Sequence, residues 1–278
     1  MGQQEALKHD FYHPSLKNCN LSSSSNKYAM KHILLPTDFS ENSTNAITYA
    51  MELFKGQPCH FYLLNIQKSS EYITDDLLTA NTNGSIYSAI GSDNKKKLNS
   101  LLETFKKKYP ENNYNWHKLF DFDNFVDAIN QVIDSKNIDL IIMGTNGATG
   151  AKETLFGSNT LRVVRGVNCP VLMIPEGYTF TKLSSILFST TNCKELKEEA
   201  VEILKYLTRT HHTLLHVLNI HQNPNIAEHK NDFQLSQSLE NLDFKEYTIN
   251  GVPLPFAIES FEQLIPVEMN VMFMPKDC

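Results

Sequence analysis

The chain has 278 residues, a formal net charge of −6 and a pI near 5.9, a balance that offers no electrostatic footing for nucleic acid or an anionic membrane. Its 41% hydrophobic and 20% charged content is that of an ordinary soluble globular protein, long enough for two domains. Five cysteines (Cys19, Cys59, Cys169, Cys193 and Cys278) make no CxxC pair, which argues against a disulfide framework and a zinc site and fits a reducing cytoplasm.

Residues 1–29 are polar, carry the serine run 22–25 and show no periodicity, so they read as a flexible extension. They lack the apolar region of a signal peptide, and no run in the chain approaches the roughly 18 apolar residues that span a bilayer. A strand–helix alternation then begins. Ile33-Leu34-Leu35 is a short buried strand. Ser40 is a good N-cap for a helix that carries Ala46, Ile47, Ala50, Leu53 and Phe54 on one face and ends at Gly56. Residues 61–66 form a second buried strand. Lysines 95–97 and 106–108 flank Leu98, Leu101, Leu102 and Phe105, the pattern of an amphipathic helix with a wet lysine face, stopped at Pro110. Residues 116–120 make a third strand. Phe125, Ile129, Val132 and Ile133 mark a helix, and residues 140–143 make a fourth strand. A glycine-rich loop, a helix and a fifth strand at 171–174 complete the series. Alternation of this kind implies an open parallel five-stranded sheet with helices on both faces, an α/β Rossmann-like fold.

After a linker at 177–182 the pattern restarts. Ser185-Ile186-Leu187-Phe188-Ser189 repeats the first strand. Leu196, Ala200, Ile203, Leu204 and Leu207 repeat the first helix. Val217-Leu218-Asn219-Ile220 echoes Leu63-Leu64-Asn65-Ile66, and residues 271–274 echo 140–143. The reading is an internal repeat with a truncated second copy over 183–278. Thr191 stands where Asp38 stands in the first copy, and Pro275 where Gly144 stands. Proline cannot mimic a glycine loop, so the second copy is expected not to bind the same ligand.

The most informative motif is Gly144-x-x-Gly147, followed nine residues after Gly147 by Gly157-Ser158-Asn159-Thr160. A strand runs into a glycine loop, and a helix opens at Gly157-Ser158. Glycine lets backbone N–H groups approach a phosphate, and a helix N-terminus favours an anion. Asp38 and Ile66 lie, like the loop, at carboxyl ends of strands, where such folds place ligands. Each residue also has a plainer reading. Asp38 can cap the helix that follows, Ile66 and Met143 can be pocket wall or core, and Ser158 is a natural N-cap. The combination favours nucleotide binding. His211, His212 and His216 form a group at the second copy's second strand, but neighbours on a strand point to opposite faces, which disfavours a metal site there.

On Ile33-Leu34-Leu35-Pro36-Thr37-Asp38-Phe39-Ser40, Leu64-Asn65-Ile66, the Gly144/Gly147/Gly157-Ser158 signature and Cys169-Pro170-Val171-Leu172, residues 30–176 resemble a universal stress protein domain. The whole chain resembles the tandem type of that family, with a degenerate second domain. The resemblance implies a pocket for ATP or AMP, with Mg through the phosphates left open. It implies Asp38 on the ribose side, Ile66 by the adenine, Met143 and Gly144 at the ribose, and Pro36, Thr37 and Asn65 among the binding residues. Gly147, Gly157, Ser158, Asn159 and Thr160 would hold the phosphates. The chain departs from the family around the third strand, where Phe120-Asp121-Phe122-Asp123 replaces a frequent Gly-x-Pro. The implied role is a stress sensor or regulator in the cytoplasm, with adenine nucleotide as ligand, no nucleic-acid or membrane partner, and a homodimer through 171–174. A slow ATPase or adenylate-handling enzyme, and an adaptor with a vestigial site, are the alternatives. Against fast chemistry, Lys152 is the only cation inside the loop, and Arg162 and Arg165 lie farther along the helix.

Overall fold

The computed structural model describes residues 32–67, 86–110, 113–145, 157–191, 198–221, 239 and 242–272. They divide into two compact units, one within Met30–Phe180 and one within Thr181–Cys278.

The first unit runs β1 (His32–Pro36), α1 (Glu41–Leu53), β2 (Cys59–Ile66), α2 (Ile86–Lys108), β3 (Tyr114–Asp121), α3 (Phe125–Lys136), β4 (Leu140–Gly144), α4 (Ser158–Gly166) and β5 (Val171–Ile174). All strands are parallel, in the order β3-β2-β1-β4-β5. The central strands β1 and β4 are apolar because both their faces are covered. On one face Leu34, Tyr62, Leu64, Ile141 and Met143 meet Ile129 and Val132 of α3 and Val163 of α4. On the other, Phe61 packs against Phe54 after α1, and Trp116 against Phe105 of α2. Leu98, Leu102 and Phe105 of α2 are buried, and its lysines are exposed, as expected of the amphipathic pattern. Strand β3 is longer than its apolar run suggested. It is an edge strand, and polar Asn115 and Lys118 take exposed places within it. Of the segment expected as a linker, Tyr178 and Phe180 rest on Tyr49 of α1, and Asn45 Nδ2 donates to Tyr178 O at 2.9 Å.

The second unit runs β6 (Ser185–Thr190), α5 (Glu198–His211), β7 (Leu214–His221), β8 (Phe244–Asn250), α6 (Leu254–Leu264) and β9 (Met269–Met272). Its parallel order, β8-β7-β6-β9, repeats the first four places of the other sheet. One small device recurs as well. Asp139 Oδ2, just before β4, accepts from His32 N at 2.9 Å, and Glu268 Oε2, just before β9, accepts from Ser185 N at 2.7 Å. In each unit a carboxylate pins the first residue of the first strand.

The unit differs from expectation at four points. The sequence reading passed over β8 and α6. Strand β8 is an edge strand with Lys245, Thr248 and Asn250 exposed, so it shows no apolar run. Strand β9 begins at Met269 and not at 271. It too is an edge, and Asn270 occupies its exposed side. Ile186 pairs with Met269 as Ile33 pairs with Leu140, so position 273, outside the described residues, is the counterpart of Gly144; Pro275 falls two places beyond it. The histidine group is also dispersed. His211 ends α5, His212 takes a left-handed φ of 53° in the turn, and His216 alone of the three lies on β7.

Candidate functional site

The strand order reverses direction between β1 and β4. From β1 the chain crosses to β2 on one side, and from β4 it crosses to β5 on the other. Folds with such a reversal place a crevice at the carboxyl ends of the two strands.

The loop after β1 is held from below. Thr37 N donates to Leu64 O at 2.8 Å, and Asn65 Nδ2 donates to Thr37 O at 2.8 Å. The Thr37 hydroxyl lies 3.1 Å from Ser43 Oγ and accepts from Phe39 N at 3.1 Å. These contacts hold Phe39 at a left-handed φ of 65°, a conformation that costs a bulky residue on the order of 1–3 kcal/mol. The turn leaves Asp38 exposed at the surface. Its Oδ1 accepts from Ser40 N at 3.1 Å and from Ser40 Oγ at 2.6 Å. Ser40 in turn caps α1, accepting from Ser43 N at 3.2 Å. Asp38 thus braces the capping residue and is not itself the cap.

Strand β4 delivers Met143, buried in the core beneath the crevice, and Gly144. A Cβ on Gly144 would lie 2.8 Å from Asn42 Cγ, so the first turn of α1 packs directly on this backbone. Helix α4 is tied to the same strand end. Gly157 N donates to Thr145 O at 2.6 Å, and the Thr160 hydroxyl is shared between Thr145 O at 3.0 Å and Gly144 O at 3.2 Å. Thr160 is buried and serves as an anchor. Ser158 is exposed, and Asn159 is half-buried.

The caps separate α4 from its neighbours. Ser40 caps α1 and Asn124 caps α3, each through its side chain. Gly157 caps α4 with no side chain at all. The first-turn N–H groups of a helix have no intrahelical acceptor. In α4 the cap position supplies them no side-chain partner. A helix N-terminus of this kind favours negative charge.

Pro36 is buried at the end of β1, and Ile66 is half-buried at the end of β2, opposite Asp121 of β3. Gly147 lies outside the described residues. Thr37, Asn65, Met143 and Thr160 form the bed of the site, while Asp38, Ser158 and Asn159 reach its surface. Asn42, Ser43 and Phe39 are contributors that sequence reasoning missed. The available signal was the polar pair Asn42-Ser43 in the first turn of α1, on a side the structure buries. Among the described residues no cluster of three or more His, Cys, Asp or Glu has the geometry to hold a metal ion. Cys59 and Cys169 are buried, and burial pushes both thiols up to about 12, with the charge of Asp139 adding to it; neither suits nucleophilic work.

The family model of the universal stress proteins matches residues 30–175. The chain belongs to the universal stress protein family. The match coincides with the first unit and its crevice. Two curated relatives are the universal stress protein MJ0531 of Methanocaldococcus jannaschii and the universal stress protein YxiE of Bacillus subtilis. The first is 28% identical over 150 residues, covering 52% of this chain and 82% of the relative. The second is 26% identical over 148 residues, covering 51% of this chain and 97% of the relative. A solved universal stress protein from Archaeoglobus fulgidus is similar in fold, with a TM-score of 0.65 at 18% identity, over 87% of this chain and 86% of that one. That likeness therefore extends past the 30–175 region. No helix among the described residues is long and apolar enough to cross a membrane.

Proposed function

We propose that the first unit binds one adenine nucleotide, ATP or AMP, in the crevice between β1 and β4, and that the protein acts as a nucleotide-responsive regulator in a stress response. The observation that carries this reading is the N-terminus of α4, capped by a bare glycine at the topological switch point. Gly157, Ser158, Asn159 and the loop through Gly147 would hold the phosphates, with Mg bound to them when the ligand is ATP. Asp38, exposed beside the same crevice, would accept from ribose hydroxyls, with Pro36, Met143 and Gly144 forming the wall below. Ile66 would lie against the base. Thr37, Asn65 and Thr160 act indirectly, by fixing the two loops.

The second unit would take no nucleotide in this way. Its β6–β7 register puts Thr191, which has no carboxylate, in the place of Asp38. Strand β5 lies at the edge of its sheet, which supports association of two chains through paired Val171–Ile174 strands. Cys59 and Cys169, both buried thiols, fit work in a reducing cytoplasm. Isothermal titration of the full chain with ATP and with AMP tests the proposal. One site per chain, lost in Gly147→Val, is the expected result. No binding, two equivalent sites or unchanged affinity in the variant would overturn it.

A further inference from the structure

The amino-terminal part of the first sheet carries a tile of four rings, away from the crevice: His32 on β1, His60 and Tyr62 on β2, and His117 on β3. The strand register assembles it. His32 lies opposite His60, and Tyr62 lies opposite His117. Residues 60 and 62 share one face of the sheet. The ring planes are almost parallel. His32 and His60 stand 4.9 Å apart between centroids at 4°, His60 and His117 5.4 Å at 11°, and Tyr62 and His117 4.5 Å at 14°. Two polar links close the tile. His60 Nδ1 lies 3.1 Å from His117 Nε2, and His32 Nδ1 lies 3.0 Å from Tyr62 Oη.

The nitrogen-to-nitrogen link has a strict proton requirement. One ring must donate an N–H, and the other must offer a lone pair. The pair therefore holds one bridging proton. With both rings protonated, two N–H groups and two positive charges face each other at that short separation. His32 stacks on one of those rings. Lys136 of α3 adds a positive charge that disfavours protonation of His117. Tyr62 stays a neutral phenol, because burial raises its pKa. Asp139, which accepts from His32 N, is the carboxylate at hand.

We propose that this tile is an acid-responsive latch: in its neutral form it ties β1, β2 and β3 together, and a second proton on the His60–His117 pair releases it and loosens the first unit. The sign follows from the preferred state. Burial, then the charges of His60, His32 and Lys136, hold His117 below its ordinary value of 6.5. The unfolded chain thus binds the proton more readily than the folded one. The stabilisation is complete above pH 6.5 and is lost as the pH falls below it.

Urea unfolding of the full chain at pH 7.5 and 5.5 tests the latch, with wild type compared to His117→Gln. The glutamine amide places a non-titrating nitrogen where Nε2 stands. The wild-type folding constant should fall further on acidification than that of the variant, by up to about tenfold, the ceiling set by a lower pH one unit beneath the ordinary value of 6.5. Equal falls in the two proteins would overturn the proposal. A second measurement does not depend on the variant folding. Imidazole NMR titration of the wild type should place the His117 step below 6.5. A His117 titration at the ordinary value would overturn the proposal as well.

Discussion

Replacing Gly157 by aspartate probes the proposed anion site at the start of α4. Gly157 has φ −63° and ψ 154°, extended backbone that any residue adopts. An aspartate there can accept from the N–H of Asn159 or Thr160 and become the cap that α4 lacks. Asp and Gly differ by only a few tenths of a kcal/mol at this position, in favour of Asp. The helix dipole adds about 0.3–1 kcal/mol for the negative charge. Stability should therefore hold or rise slightly. Ligand binding should respond in the opposite direction. A carboxylate about 4 Å from a phosphate charge is repelled by roughly 1 kcal/mol at the dielectric of water and roughly 4 kcal/mol at an effective value of 20. At 1.4 kcal/mol per decade, this spans about fivefold to a thousandfold in Kd, before counting the N–H donors the carboxylate occupies. Gly157→Asn caps equally well without the charge and should fall between wild type and Gly157→Asp. The assay is calorimetric titration with ATP and AMP, beside thermal unfolding of each variant. A Gly157→Asp protein that melts at or above the wild-type temperature and binds nucleotide with unchanged Kd would refute the reasoning.

Other consequences can be checked separately. A Cβ on Gly166 would stand 2.6 Å from Val126 Cγ1, where α4 crosses α3; Gly166→Ala should lower stability by about 1–3 kcal/mol in denaturant unfolding, because a helical valine has one strongly preferred rotamer. Burial by itself would raise the pKa of Glu268, but hydrogen bonds from the side chains and N–H groups of Ser184 and Ser185 outweigh it and hold the carboxyl below 4.5. Its stabilisation is thus present above pH 4.5 and lost as pH falls through the lower folded value, so Glu268→Gln should unfold more easily than wild type at pH 7, with the gap closing under acid. Arg162 Nη2 donates to Asn124 Oδ1 at 3.1 Å, which directs this arginine of α4 toward the start of α3; ATP turnover with Mg should accordingly stay well below the roughly 1–100 s⁻¹ of kinases, and turnover in that range that vanishes in Gly157→Asp would contradict this. Val171→Pro removes a ladder donor from β5 and should shift the mass seen by light scattering from two chains toward one; a wild-type mass of one chain at tens of micromolar would dismiss the dimer.

The sequence by itself determined the first unit almost completely. The runs Ile33-Leu34-Leu35 and Leu140-Ile141-Ile142-Met143 are apolar on every residue because the strands they form are covered on both faces, and a covered strand is legible without its neighbours. The glycine spacing likewise marked where α4 would begin, since Gly157 and Ser158 open it. Edge strands were harder to read. In β3, β8 and β9 polar residues such as Lys118, Thr248 and Asn270 alternate with apolar ones, and such short alternation does not stand out from a loop. At the site, tertiary structure decided which candidate does what. Thr160, which the resemblance implies at the phosphates, turns its hydroxyl to the two carbonyls at the end of β4. Asp38, which the resemblance implies on the ribose side and whose plainer reading is a helix cap, braces the capping Ser40, with Phe39 turning left-handed after it. The ring tile joins residues 32, 60, 62 and 117, which periodicity cannot connect, because only the register of β1, β2 and β3 brings them within hydrogen-bonding reach.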